Sequence, residues 1–344
     1  MPRAMSQTPE QSAERPVPTS ADVARLAGVS RATVSYVLNN TAAVRISEPT
    51  RCRVREAAEE LGYVPHAAAR SLRAGHTRMV LLPTAHVPVG PLYSRFFNEL
   101  QWALRRLDYT VVQYGSLGLD GDEAARAWAE LRPVAVVSLG EVALTRQGVA
   151  VLKRSGAKAV ITLGPQQVEG AHSLVMDQRE IGGCAVAHLL ERGRRGIGVV
   201  MPQEPGLELF SEPRLEGART AAAGTGARIE PLTMAYGEES AAVLAARWRG
   251  LDLDAVYAYN DEYAMLLMRA LQDEGIDIPH EVAVMGADDL LLGRLLRPRL
   301  STVQIDLVAG QRLAELVDRV VRDPGDEPER HDLMGARPLH RESS

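Results

Sequence analysis

Hydrophobic positions recur along this chain with two periods, and the change falls near residue 79. Before it, apolar residues lie three and four apart, predicting short helices over Ala21–Leu26, Arg31–Leu38 and Glu48–Leu61. Asp22, Val23, Leu26 and Ala27 repeat at helical spacing in the first, and Val34, Val37 and Leu38 form an apolar stripe on the second. Gly28 and Gly62 stop the first and third, and Ser30 stands where the second needs an N-cap. From Met79 onward short apolar runs alternate with amphipathic stretches. Strands are expected at Met79–Leu82, Thr110–Tyr114, Val134–Leu139, Ala159–Leu163, Gly196–Met201, Ala255–Tyr259 and Val282–Gly286. Helices are expected at Tyr93–Leu107, Ala124–Leu131, Val142–Arg154, Ile181–Arg192, Pro213–Ala223, Ala241–Arg249, Glu262–Glu274 and Asp289–Leu295. A last helix, Leu307–Val321, precedes a charged turn at Asp323–Arg330. Strict alternation of this kind implies βαβ units and parallel sheets covered on both faces, and the number of units exceeds one sheet, so two α/β lobes are expected.

With 344 residues the chain is long enough for two or three cores. Residues 1–18 are polar and proline-bearing and predict a disordered leader. No apolar run approaches the ~18–20 residues of a membrane helix, and the N-terminus has no secretion signal, so the expected location is cytoplasmic and no membrane partner is expected. Cys52 and Cys184 stand far apart and form no disulfide framework or zinc cluster. The net charge of −5 argues against a nucleic-acid binder until it is divided: residues 1–75 carry +3 and the remainder −8. A basic head on an acidic body suits a head that meets a polyanion.

The segment from Thr19 to Asn39 places two short helices about a tight turn, Ala27-Gly-Val-Ser30, at helix-turn-helix spacing. The second helix presents Arg31, Ala32, Ser35 and Tyr36 opposite its apolar stripe, as a helix entering the major groove would. Thr19, Ser30, Thr33 and Asn39 are placed to reach phosphate oxygens. Spacing alone also fits an ordinary helical hairpin.

Asp22-Val-Ala, Ala27-Gly-Val-Ser-Arg-Ala-Thr-Val-Ser35 and Leu38-Asn39 resemble the headpiece of the lactose repressor (LacI/GalR) family. Glu60-Leu-Gly-Tyr-Val-Pro65 with Ala68-Ala-Arg-Ser-Leu72 resembles its third helix and hinge helix. The likeness continues through Asp177, Gly182-Gly183, His188-Leu-Leu-Glu-Arg-Gly193, Arg214-Leu-Glu-Gly217, Asn260-Asp-Glu-Tyr-Ala264, Gly286-Ala-Asp-Asp289 and Arg297-Pro-Arg-Leu-Ser-Thr-Val303. It covers the chain from Thr19 to about Arg341.

The resemblance implies an all-α helix-turn-helix headpiece over 19–64, a hinge helix and linker over 65–77, and a two-lobed α/β core over 78–344 like a periplasmic binding protein. It implies a transcriptional regulator, by default a repressor, released or recruited by a small polar effector such as a sugar, with no cofactor and no catalysis. Its partners would be double-stranded operator DNA, the effector and a second copy in a homodimer. Ala69 and Leu72 would share one face of the hinge, with Leu72 the lever that wedges the minor groove. Arg214, Asn260 and Asp288 match ligand-contacting positions, and Tyr93 falls beside them in the pocket loop. A guanidinium opposite a carboxylate suits a polyhydroxy ligand, because one donates and the other accepts.

Three departures from the family pattern leave the ligand class open, and with it whether there is a ligand: Gly90-Pro-Leu-Tyr93 in the first pocket loop, Ala287 before the pocket aspartate, and Gly164. The loop Asn40–Ser47 is also about two residues longer than in the lactose repressor itself. A solute-binding protein of a transport system would suit the core but has no use for residues 19–75. An enzyme is the third reading, yet no nucleophile elbow, phosphate loop or metal-ligand spacing is present, and the scattered histidines, His188 among them, read as packing or surface.

Overall fold

A computed structural model describes residues 17–38, 45–64, 77–84, 90–115, 118–119, 121–138, 144–164, 167–307, 310–325, 327–332 and 334–344. Most of the expected leader, Asn39 and the hinge residues Ala69 and Leu72 lie outside the described residues. The chain divides into two compact units, Met1–Thr77 and Arg78–Ser344.

In the first unit α1 (Ser20–Ala27), α2 (Arg31–Leu38) and α3 (Glu48–Glu60) enclose a small core of Val23, Ala24, Ala27, Val34, Val37, Val54, Ala57 and Ala58. Gly28 ends α1 in the left-handed region at φ 64°, and the Val29 N–H reaches back to the Ala24 carbonyl at 3.0 Å. Leu26, expected on the inner face, is exposed. It lies roughly 100° round the helix from the centre of the Val23–Ala24–Ala27 stripe.

The second unit holds two sheets. The first contains β1 (Met79–Thr84), β2 (Thr110–Gly115), β3 (Ala135–Ser138), β4 (Ala159–Gly164), β5 (His172–Val175) and β11 (Arg330–Asp332) in the order β11-β5-β4-β3-β1-β2, all parallel. The second contains β6 (Gly196–Pro202), β7 (Arg228–Met234), β8 (Ala255–Tyr257), β9 (Ala283–Ala287), β10 (Ser301–Leu307) and β12 (Met334–Leu339) in the order β12-β10-β9-β8-β6-β7. Its strands are parallel except for the antiparallel pair β10–β12, a departure from the all-parallel expectation. β12 enters this sheet directly from β11 of the other sheet, one residue after it.

Between the strands lie α4 (Pro91–Arg106), α5 (Gly121–Glu130), α6 (Arg146–Arg154), α7 (Gln178–Glu191), α8 (Glu208–Ala222), α9 (Glu238–Ala246), α10 (Asp261–Asp273) and α11 (Gly310–Arg322). Alternation along β1 sorts the layers. Val80 and Leu82 pack under α4 and α11 with Phe96, Leu100, Leu313 and Val317, while Leu81 faces α5 and α6 with Trp128 and Leu152. In the second lobe α7 and α8 cover one face through Ile181, Leu189 and Leu215, and α9 and α10 the other through Leu244, Leu267 and Leu271.

Some boundaries differ from those expected. α8 begins at Glu208 and carries Pro213 inside it, rather than starting at that proline. Asp289–Leu295 forms a short 3-10 turn, Leu291–Leu295, rather than an α-helix. The strands β5, β7, β10, β11 and β12 were not anticipated. β7, β11 and β12 lie at sheet edges, where one side is solvated and Pro231, Pro338 and the polar triplet Arg330-His331-Asp332 are tolerated. Edge strands therefore lack the continuous apolar run that marks a central one. Cys52 and Cys184 are free thiols. Among the described residues no helix is long and apolar enough to cross a membrane.

Candidate nucleic-acid interface and effector cleft

The headpiece surface is built from two helix N-termini. Thr19 donates its hydroxyl and its backbone N–H to one oxygen of Asp22, at 2.6 and 2.9 Å, a capping arrangement that opens α1. Those bonds, with Arg25 3.1 Å away, hold the Asp22 carboxyl below its ordinary value. Ser30 caps α2 by accepting the Thr33 N–H at 3.1 Å, and the two hydroxyls share a further bond at 2.9 Å. One hydroxyl hydrogen of that pair stays available to an outside acceptor, whereas the Thr19 hydroxyl is committed to Asp22. Arg31, Ala32 and Tyr36 are exposed, with Ser35 and Thr33 half-buried beside them, while Val34 and Val37 anchor the opposite face. This is a rigid two-turn helix offering one long cation, one phenol and one small gap between them.

In the core the chemistry gathers where the strands of the second lobe end. Arg214 on α8 is buried, its Nε donating to Gln178 Oε1 at 2.9 Å and its Nη1 to the Tyr259 carbonyl at 2.6 Å. Its guanidinium lies 4.6 Å from the centre of the Tyr259 ring. Burial works against that charge, yet Tyr257, Tyr259 and Asp288 outweigh it, and the pKa is raised. Asp288 follows β9 directly at φ 100°, with Asp289 next at φ 50°, two consecutive left-handed residues that cost about 1–3 kcal/mol each. Burial pushes the Asp288 carboxyl up to about 6, opposed by Arg214 and reinforced by Glu262. Asn260 is also buried, but its Oδ1 accepts the Tyr263 N–H at 3.0 Å and so caps α10. Tyr93 at the start of α4 meets Phe210 of α8 edge-on, with ring centres 6.1 Å apart, so it spans the two lobes. The four residues expected from sequence thus lie on elements that meet at the ends of these strands, with the Asn260 side-chain oxygen taken up as the cap of α10.

Several further residues here were given no site role by the sequence. Glu204 accepts the Tyr236 N–H at 2.5 Å and the Tyr263 hydroxyl, and those bonds outweigh burial to lower its pKa. The Tyr263 ring packs between Tyr236 and Tyr259, at 5.4 and 5.6 Å. Asp261 is fully buried behind the Asp288 turn, and burial pushes its carboxyl up to about 7 despite two donated hydrogen bonds. His188, read as packing, is buried with Nε2 3.0 Å from Ser344 Oγ, and burial followed by His340 lowers its pKa.

Asp261 makes core stability depend on pH. Its folded value lies above its unfolded one, so the folded state holds the extra proton and stability falls as pH rises from about 4 through 7. Buried His172 and His188, with lowered values, work in the opposite sense. Thermal unfolding between pH 5 and 8 should therefore show a wild-type minus Asp261→Asn difference that grows with pH in favour of the variant. A difference independent of pH would contradict the raised carboxyl.

Comparison with known proteins follows the same division. Residues 19–66 match the family described as bacterial regulatory proteins, lacI family, and residues 186–344 match the periplasmic binding protein-like domain. The HTH-type transcriptional regulator GalR of Escherichia coli (strain K12) is 32% identical over 301 residues, covering 84% of this chain and 85% of that protein. The HTH-type transcriptional repressor PurR of Vibrio cholerae serotype O1 (strain M66-2) is 31% identical over 295 residues, covering 83% and 85%. Among solved structures, the transcriptional regulator CelR–cellobiose complex superposes with a TM-score of 0.62 at 25% identity, covering 95% of this chain and 100% of that one. These relatives are transcriptional regulators, not enzymes. With the motifs, both domain matches and the two-sheet core in agreement, the chain belongs to the lacI family of bacterial regulatory proteins and is a DNA-binding regulator of transcription.

Proposed function

We propose that this regulator represses by reading a partly palindromic operator as a homodimer, and that a sugar or sugar derivative bound in the core cleft alters its grip on DNA. The observation that carries the second part is the buried Arg214 guanidinium facing the half-open Asp288 carboxylate. Together they offer a donor and an acceptor to the hydroxyls of a small ligand, with the Tyr93–Phe210 contact closing the cleft between lobes. The relative solved with cellobiose supports that ligand class. Such coupling is reciprocal: operator DNA should weaken sugar binding by the factor by which sugar weakens operator binding.

Arg31 and Tyr36 would set base preference, with Arg31 forking onto a guanine edge and Tyr36 packing on or bonding to a neighbouring base. Ser30, Thr33 and Asn39 would position the helix on the phosphate backbone, and Ala32 and Ser35 would face the groove beside Arg31 and Tyr36. Thr19, with both donors engaged by Asp22, would hold the start of α1, and Ala69 and Leu72 would form the hinge. In selection from random duplexes, Arg31→Ala should relax one base position at a cost of about 1–3 kcal/mol. Uniform weakening on every sequence would reduce Arg31 to a phosphate contact.

Dimerisation has a candidate face in Leu291, Leu292 and Leu295, three exposed leucines on one short 3-10 turn. A single headpiece buries little surface on DNA, so two half-sites are needed for useful selectivity. Leu291→Glu with Leu295→Glu should yield a monomer by sedimentation that has lost tight operator binding. A variant that sediments as wild type would remove this face from the dimer.

A further inference from the structure

Asp261 is placed as a fastening between two parts of the cleft. It is fully buried, and both carboxylate oxygens accept hydrogen bonds: Oδ1 from Thr302 Oγ1 at 2.6 Å and Oδ2 from the Leu290 N–H at 2.7 Å. Thr302 Oγ1 in turn accepts the Asp289 N–H at 3.4 Å, and the Asp288 N–H bonds the Val303 carbonyl at 2.9 Å. The left-handed Asp288-Asp289 turn is therefore pinned on three consecutive amides, and two of the pins run through Asp261 or its partner Thr302. Thr302 sits in register with Gly286 of β9. A Cβ at Gly286 would fall 2.2 Å from Asp261 Oδ1, so that strand is bare where the carboxylate enters. On its other side Asp261 is the first residue of α10, directly after the cap Asn260. A surface turn with two residues at positive φ has no reason to hold one shape unless its surroundings impose it.

From this geometry we infer that Asp261 is a positioning residue for the effector site: it fixes the Asp288 carboxylate opposite Arg214 by tying the Asp288–Leu290 turn to the head of α10. The inference rests on the proposed sugar cleft and deepens it. Asp261 touches no ligand. It acts through Asp288, whose direction decides whether a ligand hydroxyl is shared with Arg214.

The test uses the full-length protein. Cellobiose, D-glucose and D-ribose are screened by thermal shift, and the sugar giving the largest shift is titrated by calorimetry into wild type, Asp261→Ala, Asp261→Asn, Asp288→Asn and the Asp261→Ala/Asp288→Asn double variant. Asp261→Ala should weaken sugar binding by about tenfold or more, consistent with loss of a placed hydrogen-bonding group, while operator affinity without sugar stays within about threefold. Asp261→Asn keeps an acceptor for the Leu290 N–H and a polar group for Thr302, and should recover most of the affinity. In the Asp288→Asn background the Asp261→Ala change should have little further effect, as two residues acting through one contact are non-additive. Additive losses, unchanged affinity in Asp261→Ala, or parallel loss of operator binding would overturn the positioning role while leaving the sugar cleft in place. If none of the three sugars shifts the wild-type protein, the sugar reading falls and this inference falls with it.

Discussion

Arg214→Ala is expected to cost the core about 3 kcal/mol or more in urea unfolding and to abolish the effector response as well, because it removes two charge-assisted hydrogen bonds from a buried site, each worth about 1.5–3 kcal/mol. The family resemblance places Arg214 at a ligand-contacting position. Its surroundings imply more. The guanidinium donates to Gln178 Oε1 and the Tyr259 carbonyl, covers the Tyr259 ring, and draws the Asp288 carboxyl back toward its charged form. Alanine removes the charged donor from Gln178 Oε1 and the Tyr259 carbonyl and uncovers the Tyr259 ring. Lysine restores the charge but not the fork, so Arg214→Lys should recover part of the stability and little of the ligand response. An alanine variant as stable as wild type would show that these contacts contribute nothing to folding.

Gly182→Ala should be nearly as damaging, through shape rather than charge. A Cβ at Gly182 would lie 1.8 Å from the Arg214 carbonyl oxygen, and one at Gly217 would lie 2.0 Å from the Arg179 carbonyl oxygen. Helices α7 and α8 thus cross backbone on backbone, with each glycine facing the other helix. A methyl group there forces the pair apart at a cost at the top of, or above, the ~1–3 kcal/mol usual for overpacking. The same movement carries Arg214 away from Gln178 and Tyr259, so ligand binding should fall together with stability. Gly183 is the internal control. Its Cβ would stand 3.5 Å from the Gly217 carbonyl, an ordinary contact, and alanine there should gain up to about 1 kcal/mol of helix propensity. Equal melting temperatures for Gly182→Ala and Gly183→Ala would refute the close crossing.

Much of the molecule was legible in the order of residues because the governing rules are local. The Ala27-Gly-Val-Ser30 turn follows from a left-handed glycine and a serine cap, and α2 turns Arg31 and Tyr36 outward because Val34 and Val37 have to turn inward. The central strands declare themselves by uninterrupted apolar runs, since both of their faces are covered. The likeness of spaced motifs to one family then reached across the whole chain and singled out Arg214, Asn260 and Asp288 as expected ligand contacts.

Tertiary structure decided what depends on distant segments meeting. The edge strands β7, β11 and β12 take their place from neighbours rather than from their own composition, and Pro213 lies inside α8 although propensity would have it open the helix. Asn260-Asp261 and Gly286-Ala-Asp-Asp289 read as separate motifs along the chain, yet the glycine is bare where the first aspartate inserts, and that aspartate holds the turn bearing the second. Gly182 and Gly217 likewise have meaning only as a pair. Sequence spacing reports which face of an element is apolar; which backbone another backbone touches at van der Waals distance, and which carboxylate loses its water, are properties of the packed fold.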